Sequence, residues 1–401
     1  MTALRIATVI TRMQAGAGVV ALRGALALDP SRYTVTFVAG SGDRLIDEAR
    51  AAGLEVLLEP SLRAPIAPRD DLLALHRLTR LFARRGFDVV HTHSSKAGVL
   101  GRTAAHRAGV PRIVHTFHGF PFHEFQSAAR REAYVRIERR VGRFTDVALC
   151  VGTAVSVEAV RRGLVGPERV RTIAIPVPTG ATTVTPQTRT RARRALGLTA
   201  DGPVVGAVGR LSYQKAPEDF VAALLALDRP DVTGVWIGGG ELADRMTALA
   251  REARPRARLV LAGERGDVPD LLPAFDVFAL PSRYEGLPVA ICEAMVCGVP
   301  VVATAVNSVP DVVCPGESGL LVLPERPGQL AAAIGYLLDR PADAARMAAA
   351  AHARIDDRFT ERALGETLTA VYSDGAPQAT PLDAPSGNHP GPVDRHHAVF
   401  Q

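Results

Sequence analysis

The sequence predicts an α/β protein made of two doubly wound halves facing a central cleft. Short aliphatic and β-branched runs alternate with amphipathic segments from Leu4 to Ala303, the pattern of parallel sheets covered by helices. A Pro- and Thr-rich stretch, Ile175 to Thr190, interrupts the series and reads as an interdomain linker. Small, polar and charged residues follow the apolar runs directly, at the strand ends where such sheets bind ligands.

Composition agrees with this outline. A chain of 401 residues has room for two domains, and 47% apolar residues with only 5% aromatics give cores of Val, Leu and Ala. Cys150, Cys292, Cys297 and Cys314 form no CxxC pair and have no histidines at ligand spacing. They read as buried thiols in a reducing compartment. No apolar run reaches the roughly 18 residues of a membrane span, and Leu4–Ile10 is too short for a secretory leader, so a cytoplasmic protein is expected. The net charge is +6, and of 47 basic residues only Lys96 and Lys215 are lysine, a skew expected of a GC-rich genome. No zinc-finger, RRM-like or basic-helix pattern accompanies that charge, so nucleic acid is not an expected partner.

In the first half, buried strands are expected at Leu4–Ile10, Tyr33–Val38, Leu54–Leu58, Phe87–His91, Arg112–Thr116 and Val147–Val151. The first runs into a loop whose Gly16 and Gly18 either let backbone approach a phosphate at a helix start or make a plain tight turn. His91, His93, Ser94, Ser95 and Lys96 follow one strand; His115, Thr116, His118 and Gly119 follow its neighbour. These clusters read either as structural, hydrogen-bonded histidines or as groups for proton transfer and sugar hydroxyls. Phe117, Phe120, Phe122 and Phe125 precede an Arg-rich helix, Ala128 to Phe144, with Ala133, Tyr134, Ile137 and Val141 on its apolar face. That segment is a core-packed helix with a solvated arginine face, or else Phe117–Phe144 makes peripheral contact with the inner face of a membrane.

The second half is expected to place strands at Val204–Val208, Val232–Ile237, Leu259–Leu261, Val277–Leu280 and Val299–Ala303. Arg210 and Lys215 follow the first and could neutralise a diphosphate, the arginine by a forked contact and the lysine as a point charge. Gly238–Gly240 and Gly263–Arg265 end the next two. After Val277–Leu280 comes the most informative stretch, with Glu285 in a polar loop, Pro288 expected at the first helical position, and Glu293 about a turn and a half further on. Taken alone, the two glutamates could be a helix-dipole partner and a solvated face. Their meeting with the other loops on one sheet edge favours a ligand with phosphates and hydroxyls.

Glu285-Gly-Leu-Pro with Glu293 resembles the E-x7-E motif of retaining glycosyltransferases of family 4, whose two Rossmann-like domains form the GT-B fold. Gly209-Arg210 with Lys215, Gly238–Gly240, and Cys297 to Thr304 are similar to that family's C-terminal half. His91 to Gly98 and His115 to Gly119 are similar to its N-terminal half, as in bacterial polysaccharide and glycoconjugate enzymes. The similarity spans residues 4–373.

The resemblance implies retaining transfer of a hexose-type sugar from a nucleoside diphosphate sugar, a UDP-sugar foremost. The acceptor would be a hydroxyl of a small molecule or a lipid-linked saccharide. Arg210 and Lys215 would clamp the donor diphosphate, Glu293 would take the ribose hydroxyls, and Glu285 those of the donor sugar. Backbone at Gly239, Gly286 and Leu287 would add close contacts, and Arg265 would lie near the base. His118 would touch the sugar or the reacting face, while Gly16 and Gly18 would reach the phosphate from the other domain. The chain contains no Asp-x-Asp, so no metal and no other cofactor is expected. It departs from the family pattern in Gly16-Ala17-Gly18 and in having Asn307, Ser308 and Asp311 after the Ala-Thr stretch, which bears on donor-sugar identity.

Two other classes share these residues: a nucleotide-sugar epimerase or hydrolase of the same fold, and a non-catalytic nucleotide-sugar-binding subunit. The expected organisation is a first domain at 1–179 completed by a helix at 360–373, a linker at 180–202, a second domain at 203–359, and a disordered tail at 374–401.

Overall fold

The first sheet holds seven parallel strands in the order β3-β2-β1-β4-β5-β6-β7. They are β1 (Leu4–Met13), β2 (Tyr33–Gly42), β3 (Glu55–Leu58), β4 (Val89–His93), β5 (Arg112–Phe117), β6 (Val147–Val151) and β7 (Val170–Ile173). The second holds six, in the order β10-β9-β8-β11-β12-β13, again parallel. Its members are β8 (Val204–Val208), β9 (Thr233–Ile237), β10 (Arg258–Gly263), β11 (Val277–Leu280), β12 (Val301–Thr304) and β13 (Leu320–Val322). This computed structural model describes residues 3–122, 126–177, 183–198, 202–253 and 257–373. The expected tail at 374–401, and Phe125, lie outside them.

Both sheets reverse strand order once, between β1 and β4 and between β8 and β11. At such a reversal the connections leave in opposite directions and open a crevice at the carboxyl ends of the strands. The loops after β1, β4, β8 and β11 therefore line the site.

The strands differ from expectation at their ends. β4 runs to His93 and β5 to Phe117, so His93 is a strand residue like His91 and His115, and all three are buried. β1 and β2 stay paired to Met13 and Gly42, beyond the expected Ile10 and Val38. Gly40 permits this, because a Cβ there would collide with the Leu62 carbonyl oxygen. The linker is not all coil either. A helix, Pro186–Ala195, opens on a capping box of Thr185 and Thr188, and its Arg189 and Arg193 pair with Asp276 of the second half. The Pro and Thr that suggested a linker are here a helix start.

The last helix, Glu361–Tyr372, packs on the first helix of the chain, Ala15–Leu26. Glycines bring the two close: a Cβ on Gly24 would lie 2.8 Å from Leu368 Cδ1, and one on Gly365 2.7 Å from the Ala27 carbonyl oxygen. Tyr372 Oη then reaches His91 Nδ1 at 2.6 Å. This helix is thus tied to the middle of the first sheet.

The aromatic segment packs inward. Phe117 and Phe122 are buried with Val135, Val155 and Leu164, and Phe120 stacks on Phe122 with centroids 4.7 Å apart. Phe117 and Phe122 are core side chains, in keeping with the first of the two readings, and Phe120 is half-buried beside them. On the helix Ala128–Gly142 the buried face is Val135, Glu138 and Val141, while Ile137 is 44% exposed, so the apolar face differs from the expected one. Glu138 is buried because Arg102, itself fully buried, meets it at 2.6 Å. No helix of the described residues is long and apolar enough to cross a membrane.

Candidate active site

β11 ends at Leu280, and the chain turns through Pro281–Pro288 into the helix Val289–Cys297. Pro288 is the residue before that helix, one position earlier than expected, with its backbone still extended (φ −76°, ψ 113°). The first-turn N–H groups at Val289 and Ala290 have no acceptor within the helix. Facing them is the start of the helix Ala15–Leu26: a Cβ on Gly16 would sit 3.4 Å from Val289 Cγ2. Two helix N-termini, one from each domain, converge there, and both favour negative charge. Gly18 has a different role. It is packed under Leu45 Cδ1 (2.9 Å) and the Met13 backbone, inside the first domain.

Glu285 is not in an open polar loop but buried, with 7% of its surface exposed. Its Oε1 receives the Lys215 ammonium at 2.5 Å and the Ser282 hydroxyl at 2.6 Å, and its Oε2 accepts from Gln214 Nε2 at 3.3 Å. The Glu285 N–H donates to Asn307 Oδ1 at 2.8 Å, and Asn307 holds a positive φ of 43° to reach it. Lys215 arrives from a short turn, Tyr213–Lys215, and lies across Gly209, whose missing Cβ would fall 3.2 Å from Lys215 Cδ. The ion pair is therefore built from three loops, after β8, β11 and β12.

Arg210 sits at the cleft mouth, 56% exposed, with its closest acid Glu241 at 3.8 Å. The glycines beside it serve the protein's own backbone. A Cβ on Gly238 would strike the Gly209 carbonyl oxygen, and one on Gly240 the Leu211 carbonyl oxygen; both have positive φ, 139° and 150°. Gly239 faces Glu264 Cγ at 2.9 Å. At the far end of the cleft Arg265 is held by Asp267 through two bonds of 2.8 and 2.6 Å, and Arg44 of the first domain passes 3.8 Å from the Cβ position of Gly266.

Glu293, one turn into the helix, is half-buried, and no hydrogen bond to it is found among the described residues. Burial lifts its pKa to about 7, with the Arg44 guanidinium pulling the other way. Leu287, by contrast, belongs to the hydrophobic core. Gly286 is where the domains touch: a Cβ there would collide with the His118 carbonyl oxygen. The His118 ring bonds His93 Nδ1 through Nε2 at 3.0 Å, and burial lowers its pKa to about 4. The same cause lowers His91 to about 3 and keeps His93 and His115 well below the usual range. At neutral pH all four rings are neutral, so His118 offers a hydrogen bond and not a charge.

Of the sequence-predicted residues, the fold brings Gly16, Lys215, Glu285, Gly286, Glu293, His118 and Arg210 to one cleft, with Arg265 and Gly239 on its rim. Gly18 and Leu287 are packing residues. Sequence reasoning missed Gln214, Ser282 and Arg44, which carry no local signal of a role. It also missed that Asp311 Oδ2 accepts from the Thr153 N–H across the domains at 2.6 Å.

Comparison with known proteins bears on the family and the fold. The family model described as Glycosyltransferase Family 4 matches residues 15–180, and that of Glycosyl transferases group 1 matches residues 188–354. An Escherichia coli UDP-Gal:alpha-D-GlcNAc-diphosphoundecaprenol alpha-1,3-galactosyltransferase is 34% identical over 270 residues, 66% of this chain and 68% of that protein. A D-inositol 3-phosphate glycosyltransferase of Actinosynnema mirum is 32% identical over 305 residues, 71% of this chain and 72% of that protein. Among solved structures, Anabaena HepE in complex with UDP and glucose superposes with a TM-score of 0.79 at 22% identity, covering 92% of this chain and 99% of that one. The lipopolysaccharide glycosyltransferase WaaG gives a TM-score of 0.73 at 16% identity, covering 92% and 100%. The chain belongs to the family 4 glycosyltransferases and has the GT-B fold.

Proposed function

We propose that the protein transfers a hexose from a UDP-sugar, with retention at the anomeric carbon, to a hydroxyl of a lipid-linked saccharide. The observation that carries this reading is the meeting of two helix N-termini, at Gly16 and Val289, beside the Lys215–Glu285 pair. That end of the cleft suits a diphosphate, and Glu293 lies one turn along for ribose hydroxyls. UDP is supported by the HepE complex and by the galactosyltransferase that uses UDP-Gal; that relative's diphosphoundecaprenol substrate supports a lipid-linked acceptor.

In this reading the bond from the anomeric carbon to the β-phosphate oxygen breaks. The acceptor oxygen attacks from the same face and passes its proton to the departing phosphate. Charge growing on that phosphate is met by Arg210, Lys215 and the helix N-termini, with no metal required. Glu285 orients the sugar and is not a covalent nucleophile, since its oxygens already accept from Lys215, Ser282 and Gln214. Neutral His118 contributes a hydrogen bond near the reacting face. Calorimetry against UDP, GDP, dTDP and ADP should find UDP preferred, and turnover should persist in EDTA. Failure to bind any of the four by a folded protein would overturn the reading, and donor consumption without acceptor would point to the hydrolase or epimerase class.

Glu293 gives this proposal a pH signature. A carboxylate accepts ribose hydroxyls better than a carboxylic acid does, and a raised pKa leaves it largely protonated below about 7. UDP affinity should therefore weaken about tenfold from pH 8 to pH 6. Glu293→Gln should bind UDP more weakly but without that slope, and an unchanged slope in the variant would move the titration elsewhere.

A further inference from the structure

A cavity of about 510 Å³ is lined by Glu285 but not by Gly16 or Val289 of the two helix starts. It lies between the domains, within the range of about 300–1,000 Å³ usual for small-molecule sites. One end is formed by Glu285, Tyr284 and Asn307, where the donor sugar would be held. The other is formed by Arg131, Arg161 and Arg162 of the first domain.

The charge at that second end does not balance. Glu158 is the acid there; it takes Arg161 Nη2 at 2.6 Å and Arg162 Nε at 2.5 Å. Arg131, half-buried, has no acidic partner among the described residues. Among the described residues, three guanidinium groups against one carboxylate leave a surplus of about two positive charges in a partly enclosed space, which favours a polyvalent oxyanion. Arg283 also lines the cavity, but Glu325 at 3.2 Å, Asp219 at 3.8 Å and the Tyr213 carbonyl already occupy it. Arg162 is fixed over the Phe122 ring at 5.3 Å, so its fork is pre-positioned.

Next to the arginines is exposed apolar surface. Val157 is 57% exposed and lines the cavity, and Val160, three residues on along the same helix, is 39% exposed. Residues three apart share a helix face, and Arg161 lies four residues beyond Val157. An oxyanion site with a short hydrocarbon ledge beside it matches a phosphate ester of a long alkyl chain.

We propose that this cavity is the acceptor site and that Arg131, Arg161 and Arg162 bind the phosphates of an acceptor whose sugar is carried on a lipid diphosphate. The acceptor hydroxyl would then face Glu285 and the phosphates would lie at the arginine end. This rests on the transferase reading above and adds the site and the group that it recognises.

The test is calorimetry on the full chain with UDP saturating, which keeps added phosphate out of the donor site. The probes are GlcNAc-α-diphosphate-undecyl, its methyl counterpart, and undecyl α-GlcNAc, which lacks phosphate. The undecyl diphosphate should bind about tenfold or more tightly than the undecyl glycoside. The Arg131→Gln/Arg161→Gln variant should lose most of that difference while its UDP affinity stays as in wild type. Val157→Ser should weaken the undecyl diphosphate and not the methyl one, which separates the chain's contribution from that of the phosphate. Equal binding of phosphorylated and plain glycosides, or a variant that binds the diphosphate as wild type does, would overturn the proposal. Absence of UDP binding would instead overturn the transferase reading, so the two failures are distinct.

Discussion

Replacing Lys215 by alanine should lower kcat/KM by about three orders of magnitude, and for two separable reasons. Lys215 supplies charge to the leaving diphosphate, a role whose loss costs on the order of 10²–10³ in rate when a single preorganised donor is removed. It also offsets Glu285, whose side chain is only 5% exposed and lies 2.5 Å from the ammonium. Without it the carboxylate keeps Ser282 and Gln214 as donors but no counter-charge, which costs about 3–5 kcal/mol for a buried pair broken on one side. The single variant should therefore melt at a lower temperature as well as turn over slowly. Adding Glu285→Gln to it removes the stranded charge, so the double variant should regain most of the melting temperature and none of the activity. Recovery of activity in the double variant would mean that Lys215 serves only to neutralise Glu285, and the diphosphate clamp would be wrong.

The same pair shows how much of the site is legible in the sequence. Glu285, Lys215 and Glu293 can be found because each comes after a strand, and parallel sheets present their ligand-binding loops at the carboxyl ends of their strands. Which side chains meet is not written in the local pattern. Lys215 and Glu285 are 70 residues apart and touch because β8 and β11 are neighbours. Arg44 reaches the Gly266 end of the cleft only because the two domains face each other. The error at Leu287 has a physical origin too. Leu287 looks exposed when read along the chain, since it sits between the ends of elements. Burial is decided by the elements that pack over a loop, and local pattern holds no record of them. Glycines mislead similarly: Gly238 and Gly240 satisfy a close-approach motif, but the backbone they approach is the protein's own.

Gly286→Ala should reduce turnover about a hundredfold while leaving UDP binding near wild type. Gly286 carries no positive φ, so alanine meets no intrinsic backbone strain. Its Cβ, however, would collide with the carbonyl oxygen of His118 and lie 3.3 Å from Val151 Cγ2, both in the first domain. A carbonyl oxygen cannot swing aside as a side chain can, so the domains themselves must separate. Misplacement of about 1 Å between reacting groups is enough to lose on the order of 10² in rate. Of the groups proposed for UDP, Lys215, Arg210, Glu293 and the helix start at Val289 lie in the second domain and keep their positions relative to one another, while the helix start at Gly16 moves with the first. The effect should thus fall on kcat and on acceptor use, with a modest change in melting temperature, because neither sheet's core contains the contact. Gly119 supplies the control from the facing strand end: its Cβ position is 3.8 Å from the Gly286 nitrogen, an ordinary contact, but its φ of 146° strains any substitution. Gly119→Ala should therefore lose stability first, and Gly286→Ala turnover first. Wild-type turnover in Gly286→Ala would mean that the cleft works at a wider separation than this contact sets, and that His118 does not act from its position beside Gly286.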